Sequence, residues 1–215
     1  MLLLKSPLVS MKNFFYLFFP LLFFSGCALF ETADTRLHTF HTVVLDPGHG
    51  GCDSGARPVK GASEKTLALD VAQRLKPLLE EQGYRVVMTR TDDTFIPLET
   101  RVAIANAHAD AIFISIHFNA SPKRYASGLE TYYYYSSSEP LAAALFKELC
   151  YERRCPRRGV KRSCFYVLNH NRQPATLLEL GFVSHRKENA WLQTPQAREQ
   201  IAKKIATGIV KARAF

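Results

Sequence analysis

Contiguous apolar runs separated by segments of helical period constrain this chain most. Residues 41–46, 84–89, 110–118, 128–135, 164–168 and 175–180 are each strand-length and rich in Val, Ile, Leu, Phe or Tyr. Apolar residues that run on without alternating belong to strands covered on both faces. Between the runs, Leu67, Val71, Leu75, Leu78 and Leu79 mark a helix over 64–82 that Gly83 ends and that Pro77 should kink or shorten. Val102, Ala105 and Ile104 mark a second helix over 98–108, 140–153 reads as a third, and Ile201, Ile205 and Ile209 line a closing helix over 195–212. Strands alternating with helices predict an α/β fold, with a mostly parallel twisted sheet of about six strands flanked by helices in a single domain. No internal repeat or low-complexity tract interrupts this pattern, and no second domain fits.

The N-terminal stretch does not belong to that domain. Residues 11–30, "MKNFFYLFFPLLFFSGCALF", begin with Lys12, stay almost wholly apolar to Ser25, and leave through small residues. The stretch is short for a spanning helix, and Pro20 interrupts it. A basic start, an apolar centre and a small-residue exit describe an export signal, with an uncleaved anchor as the alternative. The exit "LFFSGC" resembles the lipobox of bacterial lipoproteins, with Phe24 where leucine is commoner. That resemblance implies lipidation at Cys27. It divides the chain into a signal (1–26), a tether (27–40) and a folded domain (41–215), exported to the periplasm and anchored to a membrane. Met11 is as good a start as Met1.

Charge narrows the partners. The formal net charge is +9, and Lys5 and Lys12 lie in the signal without an acid, which leaves 9 − 2 = +7 beyond it. Seven bases and two acids fall between 147 and 162, read as a solvated basic face. An exported chain meets anionic headgroups and carboxylate-rich wall rather than nucleic acid, and no helix combines basic residues with a reading face. Beyond Cys27, the cysteines Cys52, Cys150, Cys155 and Cys164 form no CxxC pair, which argues against a cysteine zinc site, and their disulfide pairing cannot be read from sequence.

Chemistry concentrates at the strand ends. In "VVLDPGHGGCDSGA" an apolar run stops at Asp46-Pro47-Gly48, and His49 follows among glycines. Ligands of open α/β sheets bind beyond the carboxyl ends of the strands. His49, His117 near the end of "AIFISIHF", and Glu179 near the end of "ATLLEL" all lie there. Glu64 opens the first helix in line with Ala68, Val71 and Leu75. A carboxylate on a core-facing stripe needs a partner, because an unpaired buried charge is costly. Two imidazoles and one carboxylate with an open fourth position describe a catalytic zinc site, and glycines around His49 let backbone and metal approach closely. Singly, each residue also has an ordinary reading: an exposed turn histidine, a strand-end histidine, a paired carboxylate.

Seven segments together carry a resemblance: "VVLDPGHGGCDSGA", "GASEKTLALDVAQRLKPLL", "GYRVVMTRTDDTFIPLETRVAIAN", "ADAIFISIHFNAS", "GLETYYY", "RGVKRSCFYVL" and "PATLLELGFVSH". In this order they resemble the zinc-dependent N-acetylmuramoyl-L-alanine amidases of bacteria, of the cell-separation type with a single catalytic domain. The resemblance implies one zinc ion per chain, held by His49, Glu64 and His117, and Glu179 as the catalytic carboxylate. It implies peptidoglycan or its lipid-linked precursor as substrate. Asn119 and Arg158 are candidate substrate contacts, with Arg157, Lys161 and Arg162 as further groups for stem carboxylates and His170 as a cleft neighbour. Several family members carry an insertion whose helix blocks the zinc. Here Tyr135 leads through "SSSEP" straight into the next helix, which implies an open site needing no activator. The competing readings are a silent peptidoglycan-binding lipoprotein and a zinc peptidase acting on peptide stems.

Overall fold

The structure, a computed structural model, describes residues 40–151 and 156–213. The expected signal, Cys27, the tether and Cys155 lie outside the described residues. The elements run β1 (Thr42–Pro47), α1 (Glu64–Glu80), β2 (Arg85–Met88), α2 (Leu98–Asn106), β3 (Ala111–Asn119), β4 (Leu129–Tyr133), α3 (Glu139–Cys150), β5 (Arg157–Arg162), α4 (Tyr166–Asn169), β6 (Ala175–Phe182), α5 (Arg186–Leu192) and α6 (Pro195–Ala212). The six strands form one sheet in the order β2-β1-β3-β6-β4-β5. Every neighbouring pair is parallel except β4 with β6.

Both faces of the sheet are covered, as the contiguous apolar runs require. Val43, Leu45, Ile112, Ile114 and Ile116 point to one face, where α1, α3 and α6 bury Leu75, Leu145 and Ile205 against them. Val44, Phe113, Ala175 and Leu177 point to the other, under Val102 and Ala105 of α2 and Val167 and Leu168 of α4. The chain passes from β1 to β2 on one side, then returns to place β3 on the other side of β1. The order therefore reverses at β1/β3, and a crevice opens beyond their carboxyl ends, where doubly wound sheets take ligands.

The strand expected over 164–168 is not present; Tyr166–Asn169 is a single helical turn instead. Its Val167 and Leu168 are buried by capping the second core rather than by pairing in the sheet. The basic stretch read as a solvated face holds the edge strand β5, whose polar sequence carries no apolar alternation. Charged edges of this kind discourage pairing with a further chain. Pro77 neither stops nor visibly shortens α1, which continues to Glu80 because the proline falls in its last turn. Gly83 ends the segment as expected, with φ of 82°. Cys52 and Cys164 are exposed free thiols.

Candidate metal centre

Three side chains from distant parts of the sequence meet at the crevice. His49 follows β1, Glu64 opens α1 and His117 lies near the end of β3. One ligand atom from each falls within 4.8 Å of the others. Glu64 Oε1 is 3.0 Å from His49 Nε2 and 2.9 Å from His117 Nδ1. A shift of register between His117 and Asn119 breaks the β3–β6 ladder. Such bulges leave a backbone group unpaired and re-aim side chains. Here the Phe118 amide donates to Glu64 Oε1 (2.9 Å) and the Ala56 amide donates to Oε2 (2.6 Å). Burial alone would raise the Glu64 pKa, but hydrogen bonds from His117 and His49 outweigh it and hold the group well below the usual carboxylate range.

The turn after β1 is shaped around this meeting point. His49 has φ of 63° and stands alone in the left-handed region among the described non-glycine residues. That conformation costs about 1–2 kcal/mol for an L-residue. Two buried arginines hold it. Arg101 donates to Asp46 Oδ1 (2.6 Å) and to the carbonyls of Pro47 (2.8 Å), His49 (2.7 Å) and Ile96 (2.9 Å). Arg90 donates to the carbonyls of Pro47 (2.9 Å) and Gly48 (2.7 Å). Asp46, 1% exposed, also accepts from Thr89 and Ser115, so the buried ion pair is fully hydrogen-bonded. Asp53 Oδ2 accepts from His49 Nδ1 at 2.7 Å, which turns Nε2 toward Glu64. A carboxylate behind a histidine is the usual way to fix the tautomer and orientation of a metal ligand. Burial lowers the His49 pKa, yet Glu64 and Asp53 outweigh it and raise the group above its ordinary value.

Glycines keep the cage open. A Cβ on Gly48 would lie 2.3 Å from His117 Cε1, and one on Gly55 would lie 2.5 Å from Glu64 Oε2 and 2.6 Å from His49 Cδ2. No larger residue fits at either position while the rings stay in place.

Glu179 lies beside the cage. It pairs in register with His117 across β3 and β6, and both line one cavity of about 430 Å³. Glu179 Oε2 is buried and has no hydrogen-bond partner. Burial first, then the charges of Glu64 and Glu130, push its pKa well above the usual range. An orphaned carboxylate oxygen next to three convergent ligand groups fits a cage built for a divalent cation. Two imidazoles plus one carboxylate is a donor set of catalytic zinc sites.

The other sequence candidates sit nearby in different company. Asn119 donates to Glu130 Oε2 (3.1 Å), and Arg158 donates to Glu130 Oε1 (2.5 Å). His170 stacks on Tyr166 with ring centroids 4.0 Å apart and does not line the cavity. Sequence reasoning did not single out Asp46, Asp53, Arg90, Arg101 or Glu130. Arg101 carried a usable signal: it precedes Ala105 by one turn on the buried stripe of α2, just as Glu64 precedes Ala68 on α1.

A mostly parallel α/β sheet with a His–Glu–His cage able to hold a metal at its switch point, and an unpartnered carboxylate oxygen beside it, is the arrangement of a hydrolytic enzyme's active site. Residues 43–211 match the N-acetylmuramoyl-L-alanine amidase family, and the chain belongs to it. It is 38% identical to the uncharacterised protein YqiI of Bacillus subtilis over 78% of this chain and 82% of that one. It is 36% identical to the N-acetylmuramoyl-L-alanine amidase LytC of Bacillus subtilis over 79% of this chain, but spans 35% of LytC. The catalytic domain of CwlV, an N-acetylmuramoyl-L-alanine amidase from Bacillus (Paenibacillus) polymyxa var. colistinus, superposes with a TM-score of 0.77 at 36% identity, covering 80% of this chain and 97% of that domain.

Proposed function

We propose that this chain hydrolyses the amide joining N-acetylmuramic acid to L-alanine in peptidoglycan, using one zinc ion held by His49, Glu64 and His117 and Glu179 as the general base. The observation that carries the reading is the pairing of a three-ligand cage with an unpartnered carboxylate oxygen in one cleft of a family member. When bound, zinc supplies a Lewis acid that polarises a carbonyl and acidifies water toward neutrality.

The chain's own residues do the rest. Glu179 Oε2, with no competing donor, takes the proton of the attacking water and returns it to the leaving amine. Burial and the charges of Glu64 and Glu130 raise its pKa, which favours its holding the proton between the two transfers. Asp53 keeps the His49 proton on Nδ1, so Nε2 stays available to the ion. Arg90 and Arg101 fix the turn that aims the ring, and Phe95, Ile96, Phe165 and Val167 form apolar walls that limit water around the scissile bond. Residues 134–138 join β4 to α3 through one short 3-10 turn, which supports a site open to substrate without an activator.

Export, lipidation at Cys27 and action in the periplasm complete the proposal; they rest on the N-terminal sequence. Among the described residues no helix is long and apolar enough to cross a membrane. Incubation of the purified protein alone with cell-wall sacculi tests the reading. Release of peptides with new L-alanine amino termini is expected, and absence of turnover unless a second protein is added contradicts an open site.

A further inference from the structure

A second polar centre lies one strand away from the proposed base. Glu130 on β4 pairs in register with Glu179 on β6, which pairs in turn with His117 on β3. The three side chains therefore leave the same face of the sheet along one rung. Glu130 is 2% exposed, and both of its oxygens are engaged. Oε1 accepts from Arg158 (2.5 Å) and Lys161 (2.7 Å), and Oε2 accepts from Asn119 (3.1 Å) and Tyr132 Oη (2.6 Å). Burial opposes ionisation, but these donors outweigh it and hold the Glu130 pKa down to about 2.

Two cations on one carboxylate leave a net positive charge. A guanidinium offers five N–H groups and an ammonium three, and Glu130 takes one from each. The Arg158 and Lys161 side chains are still 40% and 39% exposed. The Arg158 guanidinium is braced over the Phe182 ring at 5.1 Å, and the Lys161 ammonium over the Tyr132 ring at 5.8 Å. Tyr132 meets Phe165, which lines the cleft, edge to face at 5.2 Å. The cations are thus held in place beside the cleft, with donors left over.

We infer that Arg158 and Lys161, gathered by Glu130, form the subsite for the free carboxylate of the second residue of the peptide stem. The inference rests on the amidase reading and names a specificity of the same cleft. Reach selects the residue: an extended chain advances about 3.3–3.6 Å per residue, which puts a carboxylate on the second stem residue roughly 7 Å from the scissile nitrogen. Glu130 lies one strand, about 4.8 Å, from Glu179, and Arg158 and Lys161 reach back from β5 to its carboxylate, which brings their charges within that distance. The acid and its carboxamide have nearly the same shape, so the cationic pair discriminates by charge.

Two N-acetylmuramoyl tripeptides test this, both capped as C-terminal amides and linked through the side chain of the second residue. They differ only in whether that residue carries an α-carboxylate or an α-carboxamide. Their dissociation constants are measured calorimetrically on zinc-loaded Glu179→Gln protein, which keeps the ligands intact. The carboxylate form is expected to bind about 10-fold tighter, as charge-assisted hydrogen bonds allow, with the advantage shrinking in high salt. Arg158→Ala combined with Lys161→Ala should bring the ratio to about 1 as those bonds are lost. Equal binding of the two tripeptides overturns the subsite whether or not the double variant folds, and so does a preference that survives both substitutions. Mass spectrometry of the same tripeptides after exposure to unsubstituted protein separates the two claims. Cleavage at L-alanine without discrimination keeps the amidase and removes the subsite; selective binding without cleavage does the reverse.

Discussion

His117 on β3 and Glu179 on β6 are register partners in adjacent parallel strands, and both line the same cleft. The strand pairing fixes a proposed metal ligand and the proposed base relative to each other through backbone hydrogen bonds, independently of any loop. Sites built on such rigid elements hold their geometry better than sites on loops.

Glu179→Gln preserves the shape of the side chain and removes its proton-accepting oxygen. The variant should bind zinc as the unsubstituted protein does and lose about 10²–10⁴-fold in kcat. Metal content by atomic absorption and muropeptide release by chromatography check the two halves. Hydrolysis at the unsubstituted rate contradicts the role.

Arg101 joins the buried Asp46 to three backbone carbonyls of the metal turn and its neighbour loop. Arg101→Ala leaves Asp46 buried without its cation, a change that typically costs about 3–5 kcal/mol. It also frees the His49 turn, so zinc affinity should fall by roughly 10–100-fold, as for loss of other groups that orient a ligand. Denaturant titration and chelator competition measure these separately. Arg101→Lys restores the charge but not the planar fork, and should recover stability more fully than zinc affinity.

Gly48→Ala places a methyl 2.3 Å from His117 Cε1. The ring must move, and zinc retention after dialysis should drop sharply while the helical circular dichroism signal stays near normal. Normal zinc retention contradicts the packing of ring on backbone.

Zinc bound to the folded chain alone stabilises it by mass action, by about 2.7 kcal/mol at a free concentration 100 times the dissociation constant. Chelation should lower the melting temperature, and added zinc should restore it. In Glu179→Gln protein the same shift should persist, which separates metal binding from catalysis.

Glu130 gives a pH signature of stability. Its folded pKa of about 2 lies below the ordinary 4.5. The stabilisation it contributes is fully present above pH 4.5 and is lost as pH falls through that window toward 2. The difference in melting temperature between the unsubstituted protein and Glu130→Gln should be widest near neutrality and should narrow below pH 4.5. A constant difference down to pH 2.5, roughly the bottom of that window, contradicts the ion pairing.

Much of the fold was readable because the core strands are apolar without interruption. "VVL", "AIFISI" and "TLLEL" each lie where expected, and the helices between them show their stripes. The strand β5 was hidden because an edge strand needs no apolar face, and its Arg158 and Lys161 point into ion pairs with Glu130 rather than into a core. The turn at Tyr166–Asn169 was misread because an apolar cap over a cleft and a short buried strand look alike in sequence. The four polar residues of the cleft stood out as chemistry out of place at strand ends and on a buried helix stripe. Their support did not: Arg90, Arg101 and Asp53 act through backbone carbonyls and a neighbouring ring, contacts that only the folded turn brings about.

Product identification tests the central proposal most directly. A defined disaccharide muropeptide is incubated with zinc-loaded and with metal-stripped protein, and the fragments are weighed by mass spectrometry. Cleavage between the lactyl group and L-alanine, present with zinc and lost on chelation, is the expected result. A new amine inside the peptide stem, or turnover indifferent to chelation, would contradict it.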